Sequence, residues 1–231
     1  MLKRGGILRG FTDDILRSLN LEFCSHESKP THATSLLLWF SKPNMTCEKV
    51  AELGCGIGSV SIGLAKLYGV KVLGVDIERS FVECAKKNAK SNNIEKLVDF
   101  VNEDVSNIVN YRNLREKFDM VVFNPPHHFE NRKNEKKLRE IVRRASWGLF
   151  NDFLKATTFL LRNKGDFVCI ISPRYLMEIL ELLSSFKLQP KEICIVHGSK
   201  CKNAELVLIR GKKNGGKSLK ILPPVFLNES N

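Results

Sequence analysis

The sequence predicts an α/β fold built on a mostly parallel sheet of seven strands, with helices on both faces. Three observations predict it. Seven short apolar segments alternate with amphipathic segments of helical spacing. The strand segments are apolar throughout rather than alternating, which is the pattern of strands buried on both faces. The last two, Glu192–His197 and Leu206–Arg210, are too close in sequence for a crossover helix, so they pair antiparallel.

Each element has a local reason. Residues 1–46 read as a helical extension packed on the core, with Asp13–Leu19 and Thr34–Phe40 as its helices. Residues 47–231 form the main domain. Lys49–Leu53 is the first strand and ends where Gly54 opens a glycine-rich turn into the helix Ser59–Tyr68. Lys71–Val75 ends at Asp76, and Arg79–Ser91 follows as a helix. Leu97–Val101 is the third strand. The fourth, Phe118–Phe123, stops at Asn124, because the two prolines that follow fix φ and carry no N–H for a sheet ladder. A long helix over Lys136–Arg162, a strand over Phe167–Ile171 and a helix over Pro173–Phe186 complete the alternation. The stretch GKKNGGKS (211–218) reads as a turn or mobile loop, punctuated by Gly and Asn. No internal repeat is visible.

Composition narrows the function. The chain has 231 residues and a hydrophobic content of 43%, enough for one large domain with a real core. No apolar stretch approaches membrane-spanning length, and TSLLLWF (34–40) is far too short. The start, MLKRGG, is basic but is not followed by a signal-peptide segment. Seven cysteines occur without a CxxC pair, and Cys47, Cys55, Cys169 and Cys194 lie in apolar runs. They read as buried, reduced thiols in a cytoplasmic protein, and a metal site is not expected. His127 and His128 are adjacent and lack ligand partners, so they do not change that reading.

The charge is more telling. The net charge is +12, and residues 124–231 carry 20 basic and 10 acidic side chains, whereas residues 47–123 carry 11 of each. The excess lies at and after the N-P-P-H-H run, which points to a polyanionic partner. Lys136, Arg139 and Arg143 fall at i, i+3 and i+7 of the long helix, one face that suits phosphate contacts as well as it suits solvent.

Four further features carry chemistry. In E-L-G-C-G-I-G (52–58), Glu52 precedes Gly54, Gly56 and Gly58 between a strand and a helix, where glycines let the backbone approach a ligand. The dinucleotide fingerprint would need a glycine at Ser59, so a pyrophosphate is not the best guest. Asp76, at the end of the second strand, is placed to accept both hydroxyls of a ribose, and Asp104 follows the third strand in NEDVSNI. Each acid alone could equally be a helix cap or a surface charge. Asn124, Pro125 and Pro126 alone could be a strand-ending turn. All four features fall at carboxyl ends of predicted strands, the edge where ligands bind in open α/β sheets.

E-L-G-C-G-I-G (52–58), G-V-D (74–76), E-D-V (103–105) and N-P-P-H (124–127) resemble the motifs of class I S-adenosylmethionine-dependent methyltransferases. The resemblance implies a Rossmann-like sheet of seven strands with an antiparallel last strand. It implies that Gly54, Gly56 and Gly58 surround the amino acid part of S-adenosyl-L-methionine, that Asp76 holds its ribose and that Asp104 approaches its adenine. N-P-P followed by an aromatic marks enzymes that methylate exocyclic amino or amide nitrogens, leaving S-adenosyl-L-homocysteine. A narrower resemblance, carried by DDILRSLNLEF, KPTHATSLLLWF, LQPKEICIVHGSKCKNAELVLIRGKKNGG and LKILPPVF, is to bacterial tRNA1(Val) (adenine-N6)-methyltransferases, which modify an adenine beside the anticodon. This chain departs from that family at His32, usually an acid, at His127, usually tyrosine or phenylalanine, and at Cys24-Ser25-His26, which replaces a glutamine-containing segment.

N-P-P suits amine methylation for a physical reason. An adenine amino nitrogen is a poor nucleophile, because its lone pair is delocalised into the ring. Two acceptors aimed at its two N–H bonds favour a pyramidal nitrogen. The Asn124 side-chain oxygen and the Pro125 carbonyl can supply them, preorganised by the prolines. Asn124 thus stands between cofactor and substrate, and His127 can stack on an extruded base. Trp147 and Phe150 could line that pocket or simply pack the core. The expected protein is a monomeric methyltransferase of RNA, most directly of tRNA adenine N6. The alternatives are an rRNA guanine-N2 methyltransferase, a protein glutamine N5-methyltransferase, and an RNA-binding module without catalysis.

Overall fold

The strands lie side by side in the order β3-β2-β1-β4-β5-β7-β6-β8, with β9 also on β6. The structure is a computed structural model. It describes residues 16–25, 29–125 and 136–228, and for residues 136–146 only the backbone. The strands are β1 (Lys49–Leu53), β2 (Lys71–Asp76), β3 (Val98–Asn102), β4 (Phe118–Phe123), β5 (Leu161–Ile171), β6 (Leu188–His197), β7 (Ala204–Lys213), β8 (Lys220–Ile221) and β9 (Val225–Phe226). The helices are α1 (His32–Phe40), α2 (Ser59–Tyr68), α3 (Arg79–Ser91), α4 (Lys136–Leu160) and α5 (Leu176–Ser185).

The first five strands pair parallel, and β7 runs antiparallel to both β5 and β6. The reversed strand is therefore β7, as the short β6–β7 connection requires. The sheet has nine strands rather than seven, because the tail adds two short ones. Lys220–Ile221 and Val225–Phe226 each pair parallel with the outer edge of β6, separated by Leu222-Pro223-Pro224. Pro cannot donate to a ladder, so the tail pairs in two pieces. The predicted loop at 211–218 also needs correction: Gly211, Lys212 and Lys213 continue β7. Lys213 is 8% exposed. It donates to Leu161 O (2.8 Å) and pairs with Glu116 (2.7 Å).

Alternate residues of the strands feed two apolar layers. Met120 and Val122 face one layer with Val50, Val72, Val168 and Leu208, covered by α1, α2 and α3. Val121 and Phe123 face the other with Leu53, Val75, Phe167 and Ile209, covered by α4 and α5. Of the predicted helix Asp13–Leu19, only residues from Leu16 onward are described, and Leu16-Arg17 are helical. Asn88 on α3 and Asn92 at its C-cap hold the segment that follows. Asn92 and Asn88 each bridge its backbone, the first taking Asn20 N–H (3.1 Å) and donating to Asn20 O (2.8 Å), the second taking Glu22 N–H (2.7 Å). Four residues apart at the end of one helix, they act as a short artificial strand edge. Cys55, Cys169 and Cys194 are buried free thiols, whereas Cys47 is half-buried. Among the described residues no helix is long and apolar enough to cross a membrane.

Candidate active site

Five chain turns meet at the carboxyl edge of the sheet, one after each of β1 to β5. The first is the glycine loop. Gly54 N–H and Cys55 N–H both donate to Val75 O (2.8 and 3.0 Å), which hooks the loop across to the end of β2. Gly56 lies at φ +53°, and a Cβ there would meet nothing within 4 Å, so the crest of the loop faces open space. Gly58 is different in kind. At φ +82° its missing Cβ would fall 2.6 Å from Phe100 Cζ and 3.1 Å from Ala85 Cβ. Only glycine lets α2 start this close to β3 and α3.

Asp76 is buried beside that loop. Its Oδ2 accepts Gly56 N–H (2.7 Å), and its Oδ1 accepts Glu78 N–H (2.9 Å). Each oxygen keeps a second lone pair for a ligand hydroxyl. Sequence reasoning placed Asp76 at the ribose and did not foresee that it also shapes the glycine loop. Asp104 caps the 3₁₀ turn Val105–Asn110 through Ser106 N–H (2.8 Å). Its neighbour Glu103, not singled out in sequence, accepts from Tyr111 Oη, Asn107 Nδ2 and Asp104 N–H. The Tyr111 hydroxyl, then Asn107, hold the Glu103 carboxyl below the usual range. Ile77 also went unremarked in the sequence. It is 68% exposed between Asp76 and Glu78, and the signal for it was an apolar residue between two acids.

Glu52 lies below the loop rather than on it. It is 4% exposed, and its Oε2 accepts both Ser61 N–H (2.8 Å) and Ser61 Oγ–H (2.5 Å), tying the first turn of α2 to β1. Burial pushes its carboxyl up to about 8, against the Ser61 hydrogen bonds and with help from the Asp76 charge. A raised carboxyl costs stability as pH rises. Between its ordinary value of 4.5 and about 8 the unfolded chain is ionised at this group and the folded chain is not. Stability therefore falls as pH rises through that window and levels off above it. Glu52→Gln keeps an acceptor for Ser61 and should remove this slope. Urea midpoints of both proteins from about pH 5 to 9 test it; parallel curves would show that Glu52 is ionised in the fold.

The end of β4 is fixed by aromatic packing. Phe123 is fully buried against Phe153 (centroids 5.7 Å apart) and Phe150 (6.5 Å). Asn124 follows, and its Oδ1 is buried without a hydrogen-bond partner among the described residues, while Pro125 is buried beside it. An unpaired buried acceptor is costly and uncommon. Across the rim, Trp147 meets Tyr175 edge-on (5.8 Å) and also Phe150 (6.2 Å). Trp147 is partly exposed there, whereas Phe150 belongs to the core. Pro126, His127 and His128 lie outside the described residues. Lys136, Arg139 and Arg143 fall in the first turns of α4, which are described as backbone only.

The glycine loop and Asp76 are the residues that would hold S-adenosyl-L-methionine, which would supply a methyl group for transfer. Arg132 and Lys133 lie outside the described residues, and the five basic residues of 136–146 are described as backbone only, so the basic excess has a described placement only in the remaining residues. Among the described residues after Asn124, Arg174, Lys200 and Lys202 follow the carboxyl ends of β5 and β6. Arg162, Lys164, Lys187, Lys212, Lys213 and Lys217 fall at the opposite, amino edge.

Comparison with known proteins agrees with this geometry. The methyltransferase small domain family matches residues 22–173. A Methanocaldococcus jannaschii protein named for N5-glutamine methylation of protein is 38% identical over 93 residues, 40% of this chain and 44% of the relative. The chain thus spans less than half the length of that relative. The tRNA1(Val) (adenine(37)-N6)-methyltransferase of Flavobacterium psychrophilum is 25% identical over 169 residues, 71% of each chain. The crystal structure of an Agrobacterium tumefaciens protein described as an O-methyltransferase superposes with a TM-score of 0.69 over 86% of this chain and 88% of that one, at 19% identity, which shows a shared fold. The chain belongs to the methyltransferase small domain family of class I, S-adenosyl-L-methionine-dependent methyltransferases.

Proposed function

We propose that this methyltransferase acts on an exocyclic amine of RNA, with adenine N6 of a tRNA as the substrate. The observation that carries the reading is Asn124 Oδ1 at the end of β4, a buried acceptor without a partner among the described residues. S-adenosyl-L-methionine supplies the electrophilic methyl group. Asn124 Oδ1 takes one N–H of the target amine and the Pro125 carbonyl takes the other. Together they hold the nitrogen lone pair toward the methyl group. The glycine loop, with Asp76 behind it, holds the cofactor. Ile77 covers one face of its adenine, and Asp104 stands near the adenine edge. The Flavobacterium relative supports an adenine in tRNA, since it spans most of the chain.

The same two acceptors would serve a glutamine carboxamide, and the Methanocaldococcus relative favours that second reading. Guanine N2 of rRNA presents an equivalent amine. One experiment separates these. Labelled methyl groups are offered with separate tRNA, rRNA and protein pools, and the products are digested and identified by mass spectrometry. N6-methyladenine from tRNA is the expected product. N2-methylguanine or N5-methylglutamine would overturn the adenine assignment. No transfer to any pool would point to a binding module.

The first turns of α4 carry a separate expectation. Replacing Lys136, Arg139 and Arg143 by Glu should weaken tRNA binding and flatten its salt dependence, by a slope of roughly 0.9 for each phosphate no longer neutralised. Cofactor affinity should hardly change. Unaltered affinity and slope would place the phosphates elsewhere.

A further inference from the structure

We propose that the corner formed by the amino ends of β5 and β6 and the carboxyl end of β7 is a second RNA-backbone site, on the edge of the sheet opposite the active site. The inference rests on the reading of RNA as substrate. Three turns meet in this corner, and each contains a non-glycine residue in left-handed backbone: Lys164 (φ +62°), Lys187 (φ +58°) and Asn214 (φ +53°). Such residues persist where their surroundings hold them, and they cluster at functional sites. Asn214 is the junction. Its N–H donates to Lys187 O (2.7 Å), its side-chain amide donates to Asn163 Oδ1 (3.0 Å), and its carbonyl accepts from Lys164 Nζ. Lys191 Nζ then reaches Gly216 O and Ser218 Oγ, drawing the 214–218 loop onto β6.

The electrostatics of the corner are one-sided. Its neighbouring acids are already occupied: Asp166 by Arg210 and Lys212, Glu116 by Lys213, Asp119 by Arg162. Lys164, Lys187, Lys191, Lys217 and Lys220 form no ion pair with any described residue, and Glu192 is in register with Lys220. Lys164, Lys187, Lys217 and Lys220 are exposed. The corner thus offers several ammonium groups outside any ion pair with described residues and little to read a base, which is what a phosphodiester backbone requires.

Position separates this surface from the active site. Cys169 is in register with Phe123, and Lys164 precedes it by five residues. The corner therefore sits about 15–20 Å down the strands from Asn124. The two places lie on opposite edges of one sheet, so a minimal hairpin seated at the carboxyl edge would have to wrap round the sheet to touch both. A folded RNA can reach the corner with a second part of its backbone.

The test uses Lys187→Glu/Lys217→Glu/Lys220→Glu, three exposed positions outside the catalytic and cofactor machinery. Binding of a full-length tRNA transcript, and of a stem-loop carrying only the target adenine, is measured over a range of salt. The expected result is at least about a tenfold loss for the full-length RNA, with a salt slope flatter by two or three. Stem-loop affinity, S-adenosyl-L-methionine affinity and the single-turnover rate at saturating RNA should stay unchanged. A variant that binds full-length tRNA like the wild type overturns the corner alone. An equal loss for the stem-loop also overturns it, since the lysines would then act at the active site. A wild type that binds neither RNA overturns the RNA reading, and the corner with it.

Discussion

Asn124→Ala should lower single-turnover methyl transfer by roughly 10²–10³, the usual cost of removing one preorganised hydrogen-bonding group aimed at a reacting centre. The variant loses the Oδ1 acceptor that the fold keeps buried and, among the described residues, unpaired. The remaining Pro125 carbonyl can take only one of the two N–H bonds of the target amine. The other is left in a dry site without a partner, which disfavours the pyramidal nitrogen that attacks. The fold should tolerate the change, since Phe123 anchors β4 through Phe150 and Phe153 independently of Asn124. Removing an unsatisfied buried acceptor should, if anything, raise thermal stability slightly. The pattern expected is a stable protein that binds cofactor and RNA and transfers little. The measurements are rapid-quench transfer at saturating cofactor and RNA, with the melting temperature as control. Near wild-type transfer would remove Asn124 from the chemistry.

Asp76→Ala should weaken S-adenosyl-L-methionine binding about 100-fold or more. Two losses combine. The ribose hydroxyls lose a carboxylate acceptor, and hydrogen bonds to charged groups contribute about 1.5–3 kcal/mol each. The Gly56 and Glu78 amides also lose theirs, at 2.7 and 2.9 Å, so the glycine loop loses the tie that sets its crest. Unlike Asn124→Ala, this change should lower stability as well as affinity. Calorimetric titration with cofactor, beside a urea unfolding curve, separates the two effects. A variant that is less stable but binds cofactor like the wild type would restrict Asp76 to shaping the loop.

The elements were legible in the sequence wherever a local pattern was enough. β1, β4, α2 and α3 fall on their predicted residues, because apolar runs and helical spacing are properties of neighbours along the chain. N-P-P stopped β4 for a reason visible in two residues, and β6–β7 had to be a hairpin because their link is short. The motif residues at the carboxyl ends were legible for the same reason: each follows the end of an apolar run. Trp147 and Phe150, three residues apart, could not be separated that way, and only the fold sends one to the rim and the other to the core.

The sequence by itself determined the alternation, the mostly parallel sheet and the glycine, acid and asparagine set at its carboxyl ends. Tertiary structure decided what these residues do to one another. Gly56 and Asp76 meet across twenty residues, and that hydrogen bond turns a strand-end acid into part of the loop. Burial beneath α2, not its place in a motif, makes Glu52 a weak acid. The second half of the chain announced its positive charge, and the reversal of β7 shows where part of that charge goes. By returning Lys212 and Lys213 to the amino edge, beside Lys164 and Lys187, the antiparallel strand places that part opposite the active site. Charge is additive along a sequence, but its field depends on where the chain turns back.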